Sequence, residues 1–246
     1  MMLGTMDTTV ERHRFDRRLY LAAAIGFPLI ILAGFSRTYY AKQWFGTPPL
    51  PSNLVHLHGA LMTAWVVLFI TQVRLISAKR IRLHQRLGYA GIGLGALIIA
   101  TGLPTAIRAA KYGSASTPPD IPPLAFMIVP TFDLLMFALF FAGAIYYRRR
   151  AAAHKGLMLL TAINFIPPAL ARIPIPALQA AGPLWFFGFP TAVALLCLAL
   201  EARRHGRLNR VMAAGTAALV VSYVARLALM STSAWMELAG WLTTFV

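Results

Sequence analysis

Cysteine, acidic residues and charge of any kind are scarce in this 246-residue chain. The single cysteine, Cys197, sits inside an apolar run, which excludes a disulfide framework and any cysteine-based zinc or iron–sulfur centre. A lone apolar thiol reads as packing. Only seven residues are Asp or Glu, and no phosphate loop, nucleophile–base pair or paired catalytic carboxylate is visible. Charged residues make up 12% of the chain against 59% hydrophobic ones, roughly half the charged fraction of a soluble globular domain. That balance excludes a water-soluble fold and points to a membrane protein.

What the chain does have is long apolar runs. A membrane span takes about 20 largely apolar residues, and seven stretches qualify: 19–36, 55–78, 87–109, 123–147, 156–171, 184–200 and 211–230. An all-α polytopic transmembrane bundle of about seven spans is therefore expected. Residues 1–18 read as a basic cytoplasmic tail, 19–230 as the transmembrane domain and 231–246 as a short outer-surface tail. The tail carries Trp235 and Trp241 around Glu237 and is too polar at its start for an eighth span. The first run is long for a signal-peptide core, and Ser36-Arg37-Thr38-Tyr39-Tyr40 after it lacks a small-residue cleavage site, so it reads as a retained anchor.

The formal charge of +16 follows the topology. Arg12, Arg14, Arg17 and Arg18 precede the first span. Lys79, Arg80, Arg82 and Arg86 follow the second, Arg148, Arg149, Arg150 and Lys155 the fourth, and Arg203, Arg204, Arg207 and Arg210 the sixth. These alternate connections hold sixteen of the 23 basic residues; Arg37, Lys42, Arg108, Lys111, Arg172 and Arg226 fall on the other side, and Arg74 snorkels near the inner end of the second span. Basic loops stay cytoplasmic, so the N-terminus is expected in the cytoplasm and the C-terminus in the periplasm of a bacterial inner membrane. The excess charge thus needs no nucleic-acid partner; the lipid bilayer is the partner it implies.

The opposite connections are rich in Pro, Gly and aromatics: Trp44-Phe45-Gly46-Thr47-Pro48-Pro49-Leu50-Pro51, the 114–123 stretch, and Ile173-Pro174-Ile175-Pro176. Proline fixes φ and removes a donor, so stiff, non-helical caps are expected there. On the basic side two hairpins look alike, since Arg80 and Arg150 are each followed four residues on by His84 or His154, then by Leu87 or Leu157. Duplication of a two-helix unit would produce this, as would convergence on a basic turn.

Ionisable groups within a span are costly and mark candidate sites. Asp133 lies near the middle of the fourth span, with Asn164 at comparable depth and Arg172 or Arg226 as candidate counter-charges. It reads either as a structural ion pair or as a proton-carrying or ligand-binding carboxylate. Pro167-Pro168 should break the fifth helix and free carbonyls that neighbours must satisfy. His84 and His154 begin two parallel spans at one depth, as two axial ligands of a b-type haem would, with Arg80, Arg86 and Arg150 near for propionates. His56 and His58 lie about 200° apart on a regular helix, but in an extended segment both would face one way and suit copper or zinc. One of them could instead pair with Asp133. His13 and His205 lie in basic segments and read as solvated. Gly88, Gly91, Gly93 and Gly95 follow no strand, so they serve helix packing rather than a dinucleotide. Gln72 reads as interhelical glue.

His56-x-His58-Gly59, Thr71-Gln72-x-Arg74-Leu75, Leu83-His84-Gln85-Arg86-Leu87-Gly88, His154-Lys155-Gly156-Leu157-Met158-Leu159-Leu160 and Pro168-Ala169-x-Ala171-Arg172 together carry a resemblance. The chain is similar, over most of its length, to a group of uncharacterised bacterial multipass inner-membrane proteins, which implies a helical membrane fold. Where those proteins often have Arg after His-Lys, this chain has Gly156. The His-x-Arg at a helix start also resembles the haem-bearing four-helix cores of haem A synthase and cytochrome b561 types. The expectation is a seven-helix protein whose helices two to five enclose a polar site for haem- or metal-linked electron transfer, or for assembly of such a centre. A membrane redox partner or a second copy of the chain would accompany it. The rivals are a proton-coupled permease using Asp133 and a scaffold without chemistry.

Overall fold

The computed structural model describes residues 3–48, 50–114, 117–118 and 120–246, without the side chains of residues 3–14 and 16. Pro49, Ala115, Ser116 and Pro119 of the proline-rich connections, and the side chains of Arg12, His13 and Arg14, lie outside the described residues. No strand occurs among those described. The helices are α1 (Leu3–Phe35), α2 (Asn53–Ser77), α3 (Ile81–Tyr112), α4 (Pro123–Phe126), α5 (Ile128–Tyr146), α6 (Ala151–Asn164), α7 (Ile166–Leu170), α8 (Pro176–Ala180), α9 (Phe189–His205), α10 (Arg210–Leu229) and α11 (Ser233–Leu242). The chain is an all-α bundle and an integral membrane protein. Six helical stretches among the described residues are long and apolar enough to cross a bilayer: Arg17–Tyr40, Asn53–Ser77, Ile81–Tyr112, Pro123–Tyr146, Leu184–His205 and Arg210–Leu229.

Their outward faces carry large aliphatics at mid-length, such as Leu135 at 57% and Val221 at 65% exposure. In water such a belt would be an aggregation surface; against hydrocarbon it costs nothing. The basic clusters gather at one end, called here the basic end, and the proline-rich connections at the other.

The expected fifth span, 156–171, is not one helix. α6 stops at Asn164 and α7 restarts at Ile166, with Pro167 and Pro168 in its first turn. Neither proline has an N–H to continue the ladder, and both suit the start of a helix, where that donor is unused. α6 and α7 are buried on nearly every face, from Gly156 to Leu170, wrapped by α1, α5, α9 and α10. Broken backbone is tolerated at membrane depth only under such cover. The two pieces together run from the Lys155–Glu201 ion pair at the basic end to a backbone contact between Ala169 and Gly34 near the far end of α1. A Cβ on Gly34 would fall 2.3 Å from the Ala169 carbonyl oxygen, so that contact requires glycine. Gly156 and Gly215 bring α6 and α10 close through side-chain rather than backbone contacts, with Cβ positions 2.9 Å from Met212 Cβ and 2.5 Å from Leu160 Cδ1.

Among the described residues the proline-rich connections are non-helical as expected, and helix appears only at their margins. Ser36–Tyr40 and Leu184–Gly188 are π-helical, Lys42–Phe45 forms a 3₁₀ turn, and Pro176 opens α8 from its first position. Proline stops a helix only from the inside; at the first turn it starts one. The 231–246 segment folds as α11, with Trp235 and Ala239 packed on Ala106, Ile107, Met127 and Ile128. Trp235 Nε1 donates to the Leu124 carbonyl at 3.0 Å, and Lys111 donates to the Val246 main-chain oxygen.

Candidate functional site

Two polar clusters occupy different depths of the bundle. The central one starts from α5, whose Asp133 is buried and faces α10. Its Oδ1 accepts a 2.6 Å hydrogen bond from Arg226 Nη1, which settles the choice of counter-charge in favour of Arg226. Arg226 is 0% exposed and Asp133 4%. Asn164, left as the last residue of α6 by the break at Pro167-Pro168, donates from Nδ2 to the Asp133 carbonyl at 2.8 Å. Rings of Phe132, Phe187 and Tyr223 surround the guanidinium at 5.9, 5.7 and 5.0 Å. Such contacts favour a desolvated cation. They leave Arg226 Nε and Nη2, Tyr223 Oη and Asn164 Oδ1 buried without hydrogen-bond partners.

The second cluster lies at the basic end. His84 and His154 are each the fourth residue of their helix, and each N–H bonds the carbonyl of the arginine before that helix, Arg80 at 3.1 Å and Arg150 at 3.0 Å. The matching hairpins bring the half-buried rings face to edge, 6.2 Å between centroids and 82° between planes. His154 Nδ1 lies 2.9 Å from the Ala144 carbonyl. A carbonyl only accepts, so Nδ1 carries a proton and donates it to Ala144. His84 Nδ1 and Gln72 Oε1 are buried without partners, while Gln72 Nε2 donates to the His84 carbonyl at 3.2 Å. Arg80, Arg86 and Arg150 are exposed around this end, Arg150 over the Tyr147 ring.

His56 and His58 do not form the shared metal site that an extended segment would allow. Ser52 caps α2 by accepting from Val55 N, and the helix already contains both residues, on different faces. His56 is exposed. His58 Nδ1 lies 3.0 Å from Thr101 Oγ1, whose own proton goes to the Leu97 carbonyl at 2.8 Å, so His58 donates to Thr101. A Cβ on Gly102 would meet both His58 Cε1 and the Leu134 side chain, which puts His58 beside the residue after Asp133. The anticipated His–Asp133 pair is replaced by Arg226. Arg172 turns its guanidinium over the Phe35 ring at 4.6 Å, and its Nη1 donates to the Pro168 carbonyl.

Two participants escaped sequence reading. Tyr223 lies three residues before Arg226, so it shares a helix face with it, a signal open to periodicity alone. Glu201 is 3% exposed, pairs with Lys155 at 3.2 Å and accepts from Asn209 Nδ2 at 3.2 Å. Its signal was an acid inside an apolar run next to a basic cluster. No metal-sized group of three or more His, Cys, Asp or Glu residues occurs among the described residues. No protein-family model, curated protein or solved structure matches the chain.

Proposed function

We propose that the chain is a multipass protein of the bacterial inner membrane that holds a haem b or a metal ion between His84 and His154, for electron transfer or for assembly of such a centre. The carrying observation is the geometry of the two imidazoles. Metal–nitrogen bonds of about 2 Å would put each ring centre about 3 Å from a shared ion, and the two ring centres stand 6.2 Å apart. His154 has the remaining features of a ligand, with Nδ1 anchored to a carbonyl and Nε2 free, the arrangement that fixes tautomer and orientation. A haem would supply a one-electron couple there. The chain's own contribution is to hold the rings at equal depth on two hairpins and to offer Arg80, Arg86 and Arg150 to propionates. The cytoplasmic side is assigned from the sixteen basic residues at that end.

The test is an absorption spectrum of detergent-purified protein from haem-replete cells, with elemental analysis of the same sample. A Soret band with sharp reduced α and β bands, or a stoichiometric metal, is expected, and His84→Ala or His154→Ala removes it. A colourless, metal-free preparation overturns the reading, as does a signal that survives both substitutions.

A further inference from the structure

Arg226 uses only part of its hydrogen-bonding capacity although it is wholly enclosed. Nη1 is taken by Asp133, and Nε and Nη2 have no partner. Those two nitrogens lie along one edge of the guanidinium and present parallel N–H groups, the fork that receives both oxygens of a carboxylate. Tyr223 Oη, also unpartnered, belongs to the ring 5.0 Å from the guanidinium carbon. Asn164 Oδ1, on the amide whose Nδ2 donates to the Asp133 carbonyl, is also unpartnered. Buried donors of this kind are rarely left unmade, because the loss of hydration is not recovered. The half-buried rings of Phe132 and Phe187 stand 5.9 and 5.7 Å from the guanidinium carbon, surroundings that suit an apolar body better than a second charge.

We propose that the Nε–Nη2 edge of Arg226, with the Tyr223 hydroxyl as a third donor, binds a monocarboxylate with an apolar body, and that binding delivers one proton to Asp133. Charge balance requires the second half. Asp133 and Arg226 are neutral together, and an added carboxylate would leave one uncompensated negative charge in a buried site. The exchange balances as carboxylate plus proton entering, Arg226 remaining cationic and Asp133 becoming a neutral carboxyl; no carbon bond forms or breaks. The charged or titratable groups facing Asp133 are Arg226 and Tyr223 on α10. α6 contributes the neutral Asn164, and His58 of α2 is bonded to Thr101 of α3 beside Leu134. On the other packed elements, His154 and Lys155 of α6, and Glu201, Arg203, Arg204 and His205 of α9, stand at the basic end. His84 of α3 joins them, while Arg108 and Lys111 of α3 stand near its opposite end.

The test is isothermal titration of the 246-residue chain in lipid nanodiscs with benzoate, and with acetate as the comparison lacking an apolar body, in two buffers of different ionisation enthalpy. Saturable benzoate binding with uptake of about one proton per ligand is expected by linkage, with acetate weaker. Loss of one hydrogen bond in Tyr223→Phe should weaken benzoate about 3- to 10-fold, and loss of the fork in Arg226→Lys about 10- to 100-fold. Asp133→Asn should bind without proton uptake. Absence of saturable benzoate binding overturns the proposal and leaves an enclosed water only; binding without proton uptake, or undiminished in Tyr223→Phe, overturns it too. Should Arg226→Lys fail to fold, the neutral pair Asp133→Asn with Arg226→Gln replaces it, and undiminished binding there is equally fatal.

Discussion

The histidine cluster and the Asp133–Arg226 cluster share the α5–α6 hairpin, yet depth gives them different chemistry. Asn164 and His154 are ten residues apart on α6, about 15 Å along the axis. At the basic end the groups are half-buried imidazoles near the rim of the bundle, where water and headgroups are at hand. In the middle the groups are full charges with no solvent to fall back on, so each depends on the other. The cluster at the basic end can therefore gain or lose a ligand with the fold unchanged, whereas the central one cannot change charge without a compensating proton or ion.

The largest effect is expected at Arg226. Arg226→Leu alone should destabilise the protein by about 3–5 kcal/mol, since it strands a buried carboxylate, and Asp133→Leu added to it should restore most of that loss in detergent thermal unfolding. A single variant as stable as wild type would refute the dependence. A middle-sized effect belongs to Glu201, where Glu201→Ala removes the ion pair with Lys155 and one of the two acceptors of Asn209 Nδ2, the Ala152 carbonyl being the other, and should cost about 1–3 kcal/mol. Its loss should be larger in low salt, because Lys155 is 23% exposed and its attraction is partly screened. The smallest effect is expected at His154→Ala, within about 1 kcal/mol of wild type in the same assay. A drop comparable to that of Arg226→Leu would show that the histidines are structural after all.

The lipid-facing architecture was legible because it rests on composition. Six apolar runs became six long helices, and the basic residues partitioned to one end as the loop pattern required. The fifth run was misjudged as a single span, although Pro167-Pro168 announced where it would break. What the runs do not encode is that α6 and α7 sit in the centre, because an apolar residue such as Leu160 reads the same facing protein or lipid. The site was legible in its members more than in its pairings. Asp133, Asn164, His84 and His154 stood out as polar groups in apolar surroundings. The choice between Arg172 and Arg226 depends on helix rotation, where one residue turns a side chain by about 100°. His56 and His58 were separated by a cap: with Ser52 starting α2 so early, the extended conformation that would have paired them is lost.

The interruption at Phe165 also has a meaning for biogenesis. Each of the long helices presents enough hydrocarbon surface to leave the translocon for lipid by itself. The α6–α7 segment is short on both sides of its break, carries Asn164, and acquires suitable surroundings only from α1, α5, α9 and α10. Two of those neighbours are synthesised after it. The segment must therefore wait beside the earlier helices until α9 and α10 emerge, which makes the last third of the chain a folding chaperone for its own centre.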